Sequence, residues 1–366
     1  MTADIYQIAF ASLRGMTRRL AGEILSRVGD EERFFTTPER QLSAVMGCSN
    51  RLFTDAYRAE VLEKANKEMP FIDGNHVKTL YFTDTDYPAR LNECDDAPLL
   101  LFGLGKCDLN ASHIISIVGT RHATPYGTDF VIRLVEGLSK KIDNLVIVSG
   151  LAYGIDIAAH RAALHCGVPT VAVLAHGLNT IYPASHRSTA ADIVRSGGML
   201  LTDYMSQDAL HKGNFVARNR IVAGLCDCTV VAESAIKGGA LITAGIASSY
   251  HRDVAALPGR TSDRFSQGCN KLIADNTAAL ISDADSLIAM MGWQSRQQEG
   301  DQATIPLILS PEEEAVIGYL TEKGEGDINT IGVTLNLPMH KLLPLLVDME
   351  FKSLILTYPG GKYRLA

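Results

Sequence analysis

Apolar residues recur at helical spacing through Ile5–Val28 and again through Phe53–Asn66, so the first 70 residues predict helices, with a break at Leu13-Arg14-Gly15-Met16. The pattern then changes. Phe71, residues 77–81 and Leu99–Phe102 are short apolar runs punctuated by Tyr87-Pro88 and Ala97-Pro98, and predict strands in a connector over 71–110. From 114 to 290 short apolar runs alternate with amphipathic stretches. Ile114–Val118, Leu145–Val148, Thr170–Ala175, Met199–Thr202, Cys228–Ala232 and Asp253–Leu257 read as strands. Thr128–Lys141, Ile155–His165 and Thr243–Tyr250 read as helices. This alternation predicts an α/β domain over 71–293 built on a parallel sheet covered on both faces.

The polar stretch 294–307, with Gln297-Gln298-Glu299-Gly300-Asp301-Gln302 inside it, breaks the pattern and predicts a linker. Ser310-Pro311-Glu312-Glu313 then opens a helix with an N-cap serine, proline at the first position and acids in the first turn. Further helices at Asn329–Leu335 and Met339–Met349 precede a hairpin, Ile355–Tyr358 with Tyr363–Leu365, turned by Pro359-Gly360-Gly361. Three helices and a hairpin predict a winged helix over 308–366.

Composition narrows the class. With 46% hydrophobic and 20% charged residues in 366, the chain can build ordinary globular cores. Its seven cysteines are scattered and odd in number; Cys226-x-Cys228 is neither a zinc nor a redox spacing, so buried reduced thiols are expected and metal ligation is not. The start, MTADIYQIAF, lacks a basic segment followed by an apolar one, and no run of about 18 apolar residues occurs, so a cytoplasmic protein without membrane contact is expected.

A net charge of −7 argues against a polyanion binder until it is divided. Residues 1–110 hold 13 basic against 17 acidic groups, 111–295 hold 15 against 14, and 296–366 hold 6 against 10. Only the middle part escapes a negative balance. A phosphate site belongs there, made from local clusters and not from a global field.

The loops after the predicted strands supply those clusters. In an open parallel sheet, ligands bind outside the carboxyl ends of the strands. The first loop carries Gly119, Thr120, Arg121 and, eight residues after the first glycine, Gly127. It is neither the dinucleotide fingerprint nor a Walker loop, but its glycine permits close backbone approach to a phosphate and Arg121 adds a bidentate fork. The second loop, Ser149-Gly150-Leu151-Ala152-Tyr153-Gly154-Ile155-Asp156, again sets glycines at a strand-to-helix switch. Asp156 and His160 sit four apart there without a nucleophile–base–orienter set, so Asp156 is read as a cap or loop anchor. The third loop brings Arg187, with His165, His176 and His186 read as structural. Lys212 precedes Arg218-Asn219-Arg220, whose two arginines point in different directions on a helix, so one of them is structural. Finally Gly238-Gly239-Ala240, with Thr243 behind, forms a second anion nest facing the first loop. Two nests beside Arg121 predict a groove for the sugar-phosphate chain of a single strand, with Tyr126, Tyr153 and Phe215 as stacking candidates.

These blocks resemble the DNA-processing protein A (DprA, or Smf) family. The similarity runs through Ile117–Gly127, Ser149–Asp156 on to His160, Val171–Pro183, Arg218–Leu225, Gly238–Ala244, Leu257-Pro258-Gly259 and Gly268–Ile273, seven blocks in order over about 170 residues. The resemblance implies an extended Rossmann-like fold, flanked by an N-terminal helical domain of the SAM or helix-hairpin-helix kind at 1–70 and the C-terminal winged helix. It implies single-stranded DNA binding, loading of the RecA recombinase onto incoming DNA in natural transformation, a homodimer, and no cofactor or established enzymatic activity. On matching positions Gly119, Arg121, Arg187 and Gly238-Gly239 would lie in the DNA pocket. The chain departs from the family in two places. It has Gly238-Gly239-Ala240 where Ser-Gly-Ser is common, and Val216 where a proline is.

The alternative is a nucleoside monophosphate phosphoribohydrolase, a Rossmann-like enzyme with a catalytic glutamate after its glycine loop. The helix after Gly239 runs Leu241–Ala247 without an acid, which argues against it. A duplex-reading role for the last domain is disfavoured by its acidic balance.

Overall fold

The computed structural model describes residues 3–295, 309–352, 354–358 and 361–365. The chain divides into two compact units, Met1–Gln297 and Gln298–Ala366. The linker expected at 294–307 lies outside the described residues, apart from its first two.

The first unit opens with five helices: α1 (Ile5–Ala11), α2 (Arg18–Val28), α3 (Glu31–Thr36), α4 (Glu39–Met46) and α5 (Asp55–Gly74). The expected break between α1 and α2 is there, with Gly15 at φ 87°. α5 carries Pro70 inside it and continues four residues beyond, so Phe71, read as a strand, is helical. A proline ends a helix only where its lost hydrogen bond is not outweighed by packing, and here Ile72 of the last turn is buried in the helical core.

Residues 78–105 are more than a connector. β1 (Lys78–Tyr81) and β2 (Leu100–Gly105), with the short α6 (Ala89–Asn92) between them, form the antiparallel edge of the main sheet. Tyr81, Leu100 and Phe102 are buried in the same core as the N-terminal helices.

Seven further strands run parallel: β3 (His113–Gly119), β4 (Leu145–Ser149), β5 (Thr170–Val173), β6 (Met199–Thr202), β7 (Cys228–Glu233), β8 (Asp253–Ala256) and β9 (Ala279–Leu280), the last not anticipated from the sequence. The order across the nine-stranded sheet is β1-β2-β6-β5-β4-β3-β7-β8-β9. From β3 the chain builds outward through β4, β5 and β6, then returns to β3's other side for β7, β8 and β9. The order therefore reverses at β3.

Helices cover both faces: α7 (Pro125–Lys141), α8 (Ile155–His165), α9 (Arg187–Arg195), α10 (Lys212–Gly224), α11 (Gly239–Ser249), α12 (Gln267–Ala274) and α13 (Ala284–Met291). Alternation along the strands divides two cores. Ile115, Ile117 and Ile147 pack against α7 and α8, while Ile114, Val118 and Val148 face α10 and α11. On α7, Phe130, Leu134 and Leu138 make the buried stripe, each side chain contributing about 1.5–3 kcal/mol of transfer free energy.

The second unit runs α14 (Pro311–Lys323), β10 (Gly326–Asp327), α15 (Ile328–Leu335), α16 (Met339–Phe351), β11 (Ile355–Tyr358) and β12 (Lys362–Leu365), with sheet order β10-β12-β11. Ser310 caps α14 as expected: its hydroxyl accepts from the Glu313 amide, and the Glu313 carboxylate accepts from the Ser310 amide at 2.6 Å. Pro359 and Gly360 of the expected turn lie outside the described residues.

Five of the seven cysteines are buried; Cys48 is exposed and Cys166 partly so. Among the described residues no single helix is long and apolar enough to cross a membrane.

Candidate nucleic-acid interface

The reversal of strand order at β3 leaves a crevice at the carboxyl edge of the sheet, where loops from β3 and β7 part toward opposite faces. A pocket of about 280 Å3 lies there. Gly119, Thr120, Arg121, Arg218, Asn219, Gly238, Gly239, Ala240 and Thr243 line it. The two glycine-rich turns, 119 residues apart in sequence, thus face one space.

Backbone bonds lock the turns together. The Thr120 amide donates to the Glu233 carbonyl at 2.8 Å, and the Ile155 amide donates to the Thr120 carbonyl at 3.2 Å. One residue of the β3 loop therefore ties down both β7 and the start of α8. Gly154 sits at this junction with φ 76°, and a side chain there would meet the Thr120 carbonyl and the backbone of Arg121. Its role is close packing of two loops. Gly127 likewise serves the scaffold: the Glu233 carboxylate fills the space beside it and accepts from the Thr124 amide at 2.9 Å and hydroxyl at 2.5 Å. A buried carboxylate at the start of α7 is favoured by the helix dipole.

The donor side of the pocket is α11. Gly239 and Ala240 are its first two residues, whose amides have no partner within a helix. No atom would crowd a side chain at Gly239, so this turn is open to a ligand. Opposite, the exposed Arg121 side chain makes no ion pair among the described residues; its guanidinium lies 5.5 Å from the centre of the Phe215 ring. An arginine held on an aromatic face keeps its fork free for phosphate oxygens.

The floor is different. Arg218 is buried, donates to the Val173 carbonyl, and packs against Gly150. Its neighbour Asp156 accepts from the Ala152 amide at 3.4 Å. Burial pushes the Asp156 carboxyl above its ordinary range, and the Arg218 guanidinium opposes that shift. His160, fully buried, is pushed down to about 3, first by burial and then by the Arg218 charge. Its Nδ1 bonds the Thr170 hydroxyl at 2.8 Å, and Nε2 has no partner among the described residues. Asp156 is thus an anchor, as its sequence context suggested.

Other candidates lie outside the pocket. Ser149 is buried and donates to the Ile117 carbonyl. Arg220 points the other way, where it donates to the Asp96 carbonyl and pairs with Asp203 at 2.7 Å. Of the two arginines flanking Asn219, neither is a free surface group: Arg218 forms floor and Arg220 crosses to another element. Arg187 and Lys212 are exposed at the first turns of α9 and α10, without ion pairs among the described residues.

Aromatic groups extend the rim. Phe215 meets Tyr182 edge-on at 5.7 Å, and Tyr153 meets His186 at 4.9 Å. The Ser185 hydroxyl donates to Tyr153 at 3.3 Å, which brings the loop after β5 beside the loop after β4. Tyr153 and Tyr182 are about half exposed, as is Tyr126, whose hydroxyl donates to the Pro258 carbonyl. Tyr182 was not among the sequence candidates; its position in Ile181-Tyr182-Pro183, beside the basic Arg187, was the signal available. His176 and His186 are buried and bonded to backbone, consistent with a structural reading.

With this geometry in place, similarity to known proteins carries weight. The model of the family described as DNA recombination-mediator protein A matches residues 78–292. DNA processing protein DprA of Streptococcus pneumoniae is 41% identical over 204 residues, covering 56% of this chain and 71% of that protein. The X-ray structure of DNA processing protein A from Streptococcus pneumoniae superposes with a TM-score of 0.65 at 32% identity, covering 79% of this chain and 98% of that one. DNA processing protein A from Helicobacter pylori, described for its single-stranded DNA binding mode, superposes with a TM-score of 0.53 at 30% identity, covering 59% and 95%.

Proposed function

The chain belongs to the family of DNA recombination-mediator protein A, and from that premise we propose that it binds single-stranded DNA in the β3/β7 crevice. One observation carries the reading. The open amides of Gly239 and Ala240 and Arg121, which makes no ion pair among the described residues, face one pocket at the rim of a parallel sheet. Such donors hold phosphates without reading sequence, and the aromatic groups along the rim suit unpaired bases, which a duplex hides. The strand follows the carboxyl edge from the α11 amides past Arg121 and Phe215 toward Tyr182, Tyr153 and Arg187.

In this role the protein shields incoming DNA and hands it to the RecA recombinase during natural transformation. It works as a homodimer in the cytoplasm, without a cofactor and without turning over a substrate. The floor of the pocket favours that last point over phosphoribohydrolysis. Asp156, a carboxylate that lines the pocket, accepts from the Ala152 amide and lies in the field of the buried Arg218, which suits an anchor better than a catalytic acid. The second unit's order, helix–strand–helix–helix–strand–strand, supports a winged helix, and its acidic balance suits protein contact better than duplex reading. The N-terminal helices serve as a packing module of the SAM or helix-hairpin-helix kind.

Filter binding of the purified chain to matched single- and double-stranded oligonucleotides tests the proposal. Retention of the single strand at concentrations that leave the duplex free is expected; equal affinity for both contradicts it. Incubation with nucleoside monophosphates should release no free base.

A further inference from the structure

Next to the crevice, on the other side of Arg121, lies a second and larger cavity of about 590 Å3 between α7 and α8. That volume falls within the range of roughly 300–1,000 Å3 usual for small organic ligands. Ile132 of α7 and Ile157, Ala158 and Ala162 of α8 give it apolar walls, the two alanines keeping α8 from filling the gap. Arg161, His165 and Glu136 also line it, and their side chains make no hydrogen bond or ion pair among the described residues. Arg121 lines both spaces, so a chain that rests a phosphate on Arg121 in the crevice has the cavity adjoining it.

Apolar walls with donors and an acceptor at the edges suit a flat, heteroatom-rimmed ring. The positive groups in its lining, Arg121 and Arg161, suit the phosphate that such a ring carries. We infer that the α7/α8 cavity is a nucleoside subsite, which receives one base turned out of the bound strand while its phosphate rests on Arg121. The inference rests on the reading of the crevice as a single-strand site. A free nucleoside monophosphate has the same chemistry, so the experiment separates the two sources.

Three properties follow. A single position of a short oligonucleotide is unstacked on binding. Filling the cavity removes that position's contribution and leaves the rest of the groove intact. Cys166, which lines the cavity and is partly exposed, is shielded when the site is occupied, whereas exposed Cys48 in the N-terminal helical segment is not.

The test uses the full chain and short thymidine oligonucleotides carrying one 2-aminopurine at successive positions. In the wild type one position is expected to brighten on binding. Ala158→Met should abolish that signal and weaken binding about tenfold, the contribution of one base contact. Arg161→Glu, a change at an exposed side chain that leaves the α8 core untouched, should do the same should the methionine variant fold poorly. Maleimide labelling of Cys166, read by mass spectrometry against Cys48, should slow in the presence of oligonucleotide. Uniform brightening along the strand, wild-type affinity in both variants, or unchanged Cys166 labelling overturns the inference even where Arg121→Glu loses the DNA. Shielding of Cys166 by deoxyadenosine monophosphate but not by oligonucleotide overturns the strand version and assigns the cavity to a free nucleotide. If the wild type retains no oligonucleotide at all, the crevice reading fails instead, and the monophosphate arm still decides whether the cavity binds a nucleoside.

Discussion

Two arginines line the same pocket, and they live under opposite conditions. Arg121 stands exposed on the β3 loop, leaning on Phe215 and paired with no carboxylate among the described residues. Arg218 lies beneath it, buried and bonded to the Val173 carbonyl in the field of Asp156. A buried guanidinium that is already committed holds loops in place; an exposed and uncommitted one can bind. The rim and the floor of the crevice therefore divide the labour. The rim offers donors to a ligand, while the floor fixes where those donors point.

This division can be broken from either side, and the largest effect is expected at the floor. Arg218→Met removes the buried guanidinium that donates to the Val173 carbonyl and offsets the Asp156 charge, at a cost of about 1–3 kcal/mol for a buried group left without its partner. Urea unfolding followed by circular dichroism should show the loss. If Arg218 were instead a phosphate ligand, stability would hold and affinity for the strand would fall.

The floor also has a pH signature. The His160 imidazole is held at about 3 in the fold against an ordinary 6.5, so the unfolded chain binds its proton first on acidification. Stability present above 6.5 is therefore lost as pH falls through that window toward 3. Asp156, with a raised carboxyl, works in the opposite direction, so the comparison is between the wild type and His160→Gln. Melting temperatures of the two should converge as pH drops from 7 to 4. Parallel curves would remove His160 from the account.

Smaller effects belong to the outer rim. Arg187→Ala and Lys212→Ala each should weaken strand binding only a few-fold and reduce the slope of log K against log salt by about one. An unchanged slope in both would shorten the track to the crevice itself.

How much of this division could be read from the sequence depends on what fixes each feature. Glycines at strand ends mark turns by backbone necessity, so Gly119, Gly154 and Gly238-Gly239 are recognisable in the sequence. Strand alternation likewise foretold the parallel sheet. Side-chain direction was not recoverable in the same way. Arg218 and Arg220 look equivalent in Arg218-Asn219-Arg220, yet two positions along a helix turn them roughly 200° apart, one under Gly150 and the other toward Asp203. Ser149 and Gly127 carried the local look of ligand groups and proved to be internal bracing, because their partners, Ile117 and Glu233, are distant in sequence. Phe71 read as a strand because a short apolar run carries no period; the length of α5, set by packing, decided otherwise.

Arg121 is where rim and floor can be told apart in one assay. Filter binding of a single-stranded oligonucleotide at moderate salt, for the wild type and Arg121→Glu, should show affinity falling at least about tenfold, with the melting temperature unchanged because that side chain is exposed. Equal affinity in a folded Arg121→Glu protein would contradict the assignment of the crevice to the strand.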